Sequence, residues 1–358
     1  MLMHAVFLPL YSLNGIIQHE EMVQKELTRF RRAMVLLAVL TVSITLAAQE
    51  LNSHLYALLL CGGRNRITNH ERYWNDCSFI YRTLSQRYHL PKRNIIVLMA
   101  DGNNPDSDML RADGMGFISS PIDLDGDGQP DITGAATSQM VSTTLYRLTQ
   151  QLTSDDHLFL FVTDHGGSYG TTGDSNIWLW GDEVVKDYQL ALMLQQMPTA
   201  TITVVMGQCH SGGFIDDLQH DGRIVMTACA DSEESWSCPD RDYDEFLYHW
   251  ICAVNGADEA GNVVDADKNR DGKVSMHEAF DYAASHDRRP ETPQYASWPQ
   301  QLGEEWSLDS PVILAIHEVE ADDGPAAEWS LSGVPQPSGR HGLHIVRKNG
   351  KTMIKLKN

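Results

Sequence analysis

Cys209 stands in the segment GQCHSGG (Gly207 to Gly213), and His165 stands in TDHGG (Thr163 to Gly167). A free thiol ionises near pH 8.5, so a sulfur nucleophile working at neutral pH needs an imidazole to accept its proton. The resulting imidazolium can then protonate a leaving amine, help worth roughly 10²–10⁴ in rate. Acyl transfer is the reaction class that these two side chains fit. The neighbouring glycines let backbone come close to a substrate, and their peptide N–H groups can point at a developing oxyanion, about 3 kcal/mol per donor. Neither motif is distinctive alone, since free Cys is commonly buried and the chain has 15 histidines. Their placement just beyond two apolar strands is what singles them out. His210 reads as structural support. Cys61, Cys77, Cys229, Cys238 and Cys252 lack such a setting, and a bridge such as Cys229 to Cys238 stays open.

The elements that must position the pair follow from hydrophobic pattern. His54 to Leu60, Asn94 to Met99, His157 to Thr163, Thr201 to Met206 and Arg223 to Ala228 are near-continuous apolar runs, the pattern of parallel strands covered on both faces. Between them Tyr73 to Tyr88, Ser138 to Leu152, Asp187 to Gln196 and Asp244 to Val254 carry apolar residues at helical spacing. This βαβ rhythm predicts a doubly wound α/β domain with a mainly parallel sheet and helices on both faces. Ligands of such sheets bind beyond the carboxyl ends of the strands, and both motifs lie there, so His165 and Cys209 can converge across 44 positions.

With 27 Lys and Arg against 48 Asp and Glu in 358 residues, the formal charge of −21 argues against partners such as nucleic acid or anionic membrane. Arg29, Arg31 and Arg32 precede a 14-residue apolar run, Ala33 to Leu46, followed by Ala47 and Ala48. That is the pattern of an export signal, and it falls short of the roughly 20 residues of a permanent membrane anchor. The expected division is 1–48 as signal peptide and upstream segment, 49–310 as the catalytic domain, and 311–358 as a small β tail. In that tail two alternating stretches flank Lys348-Asn349-Gly350-Lys351, a tight-hairpin signal. An exported protein, periplasmic or at the cell surface, is the expectation.

Two acidic loops suggest calcium. Asp267 to Glu278 matches an EF-hand loop position by position: Asp267, Asn269 and Asp271 supply oxygens, Gly272 turns the chain, Lys273 gives its carbonyl, Ser275 can hold a water and Glu278 closes the site. The residues before it make a poor incoming helix, so a structural rather than a sensing Ca2+ site is expected. Asp123, Asp125 and Asp127 begin a second such loop, with Gly134 at the twelfth place instead of Glu.

The segments Cys61 to Asn65, Asn94 to Gly102, Phe161 to Gly167, Gly207 to Gly213 and Thr227 to Cys238 together resemble the legumain-type, caspase-like cysteine peptidases over about Leu51 to Val254. The resemblance implies a caspase-like fold, Cys209 as nucleophile, His165 as base and the N–H groups of Gly166 and Cys209 as oxyanion hole. It implies a substrate pocket near Glu71, Arg72, Ser235 and Glu245, and it gives Asn69 the role of orienting His165. The family's Glu two residues before the nucleophile is Gly207 here. With Glu71, Asp244 and Glu245 as walls the pocket would favour a basic side chain. The C-terminal tail is similar to type IX secretion sorting signals, which implies an export machinery as partner. The reading is an exported cysteine endopeptidase acting on protein or peptide substrates, with transpeptidation through the same intermediate. Its rivals are a zinc protein using Asp164, His165, Cys209 and His210, and a non-catalytic, calcium-ordered surface module.

Overall fold

The computed structural model describes residues 54–170 and 174–309, together with the backbone of three strands near the C-terminus. The export-signal pattern and the upstream segment lie outside the described residues. The chain divides into two units, Met1–Val312 and Ile313–Asn358.

In the first unit six strands form the main sheet: β1 (Leu55–Cys61), β2 (Ile95–Met99), β3 (His157–Thr163), β4 (Thr201–Met206), β5 (Arg223–Thr227) and β6 (Gln294–Trp298). Their order is β6-β5-β4-β3-β1-β2. All neighbours are parallel except the edge pair β5–β6, which is antiparallel. The sequence pattern found five of these strands. It missed β6, whose residues QYASW are mostly half-buried and carry no apolar run.

The longer helices among the described residues cover the sheet: α1 (Glu71–Arg82), α2 (Ser138–Gln151), α3 (Asp187–Gln195), α4 (Glu245–Asn255) and α5 (Met276–His286). Strand residues alternate between the two faces. Leu55, Ala57, Leu59 and Cys61 of β1 pack with Tyr73 and Ile80 of α1, Trp250 of α4 and Ala279 of α5. Leu58 and Leu60 pack instead with Val141, Leu145 and Leu148 of α2 and with Leu190 and Leu194 of α3. Burying each such leucine contributes about 1.5–3 kcal/mol, so both layers hold the sheet firmly. The fold is α/β, with helices on both faces of a mainly parallel sheet.

Helix ends are set locally. Thr137 caps α2 by accepting from the Met140 N–H at 3.2 Å, and Gly256 closes α4 in the left-handed region at φ 71°. The α-helical part of α1 passes into a π-helical turn, Thr83–Arg87. After β3 the chain folds into a small three-stranded meander, Gly166–Ser168, Ser175–Leu179 and Glu183–Lys186. In the second unit Ala327–Ser330, Gly342–Lys348 and Lys351–Lys357 make a separate antiparallel sheet, with Lys348 opposite Lys351. Among the described residues no helix is long and apolar enough to cross a membrane.

Candidate active site

The two motifs leave adjacent strands. Val162 of β3 pairs with Met206 of β4, and the Gly207 N–H donates to the Val162 carbonyl at 2.9 Å. From there the chain runs two residues further to Cys209, while β3 continues through Thr163 to His165. The turns meet at Gly166. A methyl group built on its Cα would collide with the carbonyl oxygen of Cys209 and lie 2.7 Å from Cγ of Gln208. Only glycine permits that approach.

The imidazole of His165 is held at both nitrogens. Nε2 lies 2.8 Å from the carbonyl oxygen of Thr68, and Nδ1 lies 3.2 Å from the phenol oxygen of Tyr73. Its main chain is pinned by Asp164, whose Oδ1 accepts the His165 N–H at 2.7 Å. Burial pushes the His165 pKa down, and the nearby Arg72 charge acts in the same sense, against the bond to Thr68. Burial pushes the Asp164 carboxyl well above its usual range.

Cys209 is the partly exposed member of six free thiols; the other five are buried. Its Sγ accepts from the Ser235 N–H at 3.4 Å and from the Ser235 hydroxyl at 3.7 Å. Burial raises the thiol pKa while these two donors oppose the rise by stabilising thiolate. Cys229 and Cys238 form no bridge. His210 sits in the left-handed region at φ 61°, with Nδ1 on the Asp231 carbonyl at 2.8 Å. It supports the nucleophile's loop.

Beneath the dyad lies a buried charge network. Thr163 donates to Asp76 Oδ2 at 2.9 Å. Arg72 Nε donates to Asp244 Oδ1 at 2.7 Å and its terminal nitrogen to the Tyr73 hydroxyl oxygen at 2.9 Å.

The side chains expected as pocket walls are engaged with the protein itself. Glu71 accepts the Ala112 N–H at 2.7 Å. Glu245 is 3 % exposed and accepts the Arg288 N–H at 3.2 Å. Asp244 is paired with Arg72. Of these three carboxylates Asp244 meets a counter-charge, while Glu71 and Glu245 accept main-chain N–H groups. Ser235 stands at the sulfur itself. Asn69 does not orient His165: its amide donates to the Asp108 carbonyl at 3.0 Å, and the neighbouring Thr68 main chain meets the imidazole instead. A backbone carbonyl leaves no mark in a sequence. Gly207 has a steric reason, since a Cβ there would lie 2.6 Å from Cγ of Leu247 on α4.

The four residues of the zinc alternative are not gathered. Among the described residues the one group of three or more His, Cys, Asp or Glu with ligand atoms within 4.8 Å of one another is Asp123, Asp125 and Asp131. There the Lys92 ammonium already sits 2.9 Å from Asp125, 2.8 Å from Asp127 and 3.1 Å from Asp131. Asp123 turns to its own loop, accepting from Gly126 and Gly128 N–H groups at 2.7 and 2.8 Å. The other loop keeps an oxygen-only donor set. Asp267 accepts from Asp271 and Gly272 N–H groups at 3.2 and 2.9 Å, Gly272 makes the turn at φ 88°, and Glu278 reaches across to the Asn269 N–H at 3.1 Å.

A thiol and an imidazole thus stand on neighbouring turns at the carboxyl rim of a mainly parallel sheet, the side-chain pair that acyl transfer requires. Residues 133–298 match the model of the Peptidase C13 family, the legumain family, and both His165 and Cys209 lie inside the match. No curated protein matches the chain. A solved structure from Geobacter sulfurreducens is similar at 14% identity and a TM-score of 0.43, over 68% of this chain and 93% of that one.

Proposed function

We propose that the protein is an exported cysteine endopeptidase that cleaves peptide bonds through a thioester on Cys209. The observation that carries this reading is the meeting of the two turns, with Gly166 against the carbonyl of Cys209. Nε2 of His165 faces a carbonyl, so Nδ1 is the nitrogen able to take the thiol proton. The thiolate attacks the scissile carbonyl, and the N–H groups of Gly166 and Cys209 stabilise the oxyanion. Nδ1–H then protonates the departing amine. Water deacylates the enzyme, and an incoming amine in its place gives transpeptidation. Export is supported by the arginines and apolar run of residues 29–48, and the C-terminal tail suits a sorting signal.

Ca2+ belongs to the same proposal. Asp267, Asn269, Asp271, the Lys273 carbonyl and Glu278 would hold it, and their all-oxygen set on a tight turn suits a hard cation. The ion would stiffen the connection into α5 and takes no part in the chemistry.

A peptide library assayed with the native protein and with Cys209→Ala tests the reading. Turnover is expected in the first and none in the second; residual cleavage by the variant would end the proposal.

A further inference from the structure

Both ring nitrogens of His165 are occupied, and neither by the thiol. Thr68 offers Nε2 a carbonyl, an acceptor only, so Nε2 carries the hydrogen and Nδ1 the lone pair. The partner of that lone pair is the Tyr73 hydroxyl at 3.2 Å. Arg72 fixes the direction of this bond. A guanidinium can only donate, and it donates to the phenol oxygen at 2.9 Å, so the phenol's own proton is the one turned toward Nδ1. Asp244 holds Arg72 in place at 2.7 Å. Tyr73 is 2 % exposed and stands edge-on to the imidazole with ring centroids 5.3 Å apart.

We propose that Tyr73 is a positioning residue that fixes the tautomer of His165 and holds its Nδ1 lone pair in competition with the Cys209 thiol. This rests on reading Cys209 and His165 as the acyl-transfer dyad. A donor on the lone pair favours the neutral imidazole, so the resting thiol keeps its proton. Proton transfer breaks the S–H bond, forms the Nδ1–H bond and requires the Tyr73 hydroxyl to turn away. Other groups face the same ring. Arg64 and Arg72 disfavour imidazolium and Asp244 favours it, while the His70 ring lies 5.6 Å away. These act through space, whereas among the described residues Tyr73 is the one side chain hydrogen-bonded to Nδ1.

Tyr73→Phe keeps the buried ring and removes the donor. The His165 pKa, followed by NMR of its ring protons, is expected to rise by up to about one unit. Alkylation of Cys209 by iodoacetamide near neutral pH should quicken about two- to tenfold. Both the alkylation gain and its dependence on Tyr73 should vanish in a His165→Ala background. In the unmodified protein, ring ¹⁵N shifts should show the Nε2–H tautomer, a readout that stands even if the variant fails to fold. An Nδ1–H tautomer, or an unchanged His165 pKa and alkylation rate in folded Tyr73→Phe protein, overturns the role of Tyr73. Turnover retained by Cys209→Ala overturns the dyad itself, whatever Tyr73 does.

Discussion

Nε2 of His165 lies 2.8 Å from the main-chain carbonyl of Thr68, so this edge of the base is held by backbone. The Thr68 hydroxyl makes only long contacts, 3.3 Å and more, to Gly63 and Asn65. Thr68→Ala is therefore expected to keep kcat/KM within about threefold, since the carbonyl remains. Asn69→Ala leaves the buried Asp108 carbonyl without its donor and should lower stability by about 1–2 kcal/mol in denaturant melts. A hundredfold loss in Thr68→Ala would contradict this account.

The pair Arg72–Asp244 is nearly dry, with side-chain exposures of 20% and 9%. Removing Asp244 strands a guanidinium that cannot give up its proton. Asp244→Ala is expected to destabilise by about 2–4 kcal/mol, and the double variant with Arg72→Ala by less than the sum of the single changes. Strict additivity in urea titrations would show the two charges to be independent.

Glu291 gives a pH signature. Burial, with Asp287 beside it, pushes its carboxyl from the ordinary 4.5 up to about 10, while its Oε2 accepts the Trp236 N–H at 2.9 Å. A carboxyl raised in the folded state contributes stability that is full below its unfolded pKa and is lost as pH climbs toward the folded one. Glu291→Gln mimics the protonated form, so its melting temperature minus that of the native protein should grow more positive between about pH 6 and pH 9. A flat difference would remove the shifted carboxyl from the stability profile.

The acidic loops should respond differently to calcium. The loop 267–278 is expected to bind one ion, raising the melting temperature, with chelator reversing the rise and Glu278→Gln abolishing it. The loop 123–131 already holds the Lys92 ammonium, so calorimetry should detect no second ion there until Lys92→Met removes that cation. Two ions per native chain would mean that Lys92 yields its place.

The strands β3 and β4 are readable in full because every residue of each is buried, which favours a near-continuous apolar run. Edge strand β6 was not, because a strand covered on few sides tolerates Gln, Tyr and Ser. The dyad was readable because its partners follow those strands directly. Tyr73 was hidden in plain sight: its helical spacing marks it as core, and it is core, while its hydroxyl reaches a residue 92 positions away. The expected pocket walls show a related effect. Residue type places a carboxylate near the site, but only packing decides whether Arg72, Arg288 or Ala112 takes it first.

Gly166 makes catalytic competence a reporter of correct assembly. The crossing of its backbone with the Cys209 carbonyl depends on Val162 standing opposite Met206. A slip of one residue along that ladder would present Gln208 or His210 to the imidazole and turn the sulfur to the opposite side of the sheet. A misregistered chain can thus be compact and still chemically silent, and a methyl added at position 166 should mimic that silence without touching either reacting group.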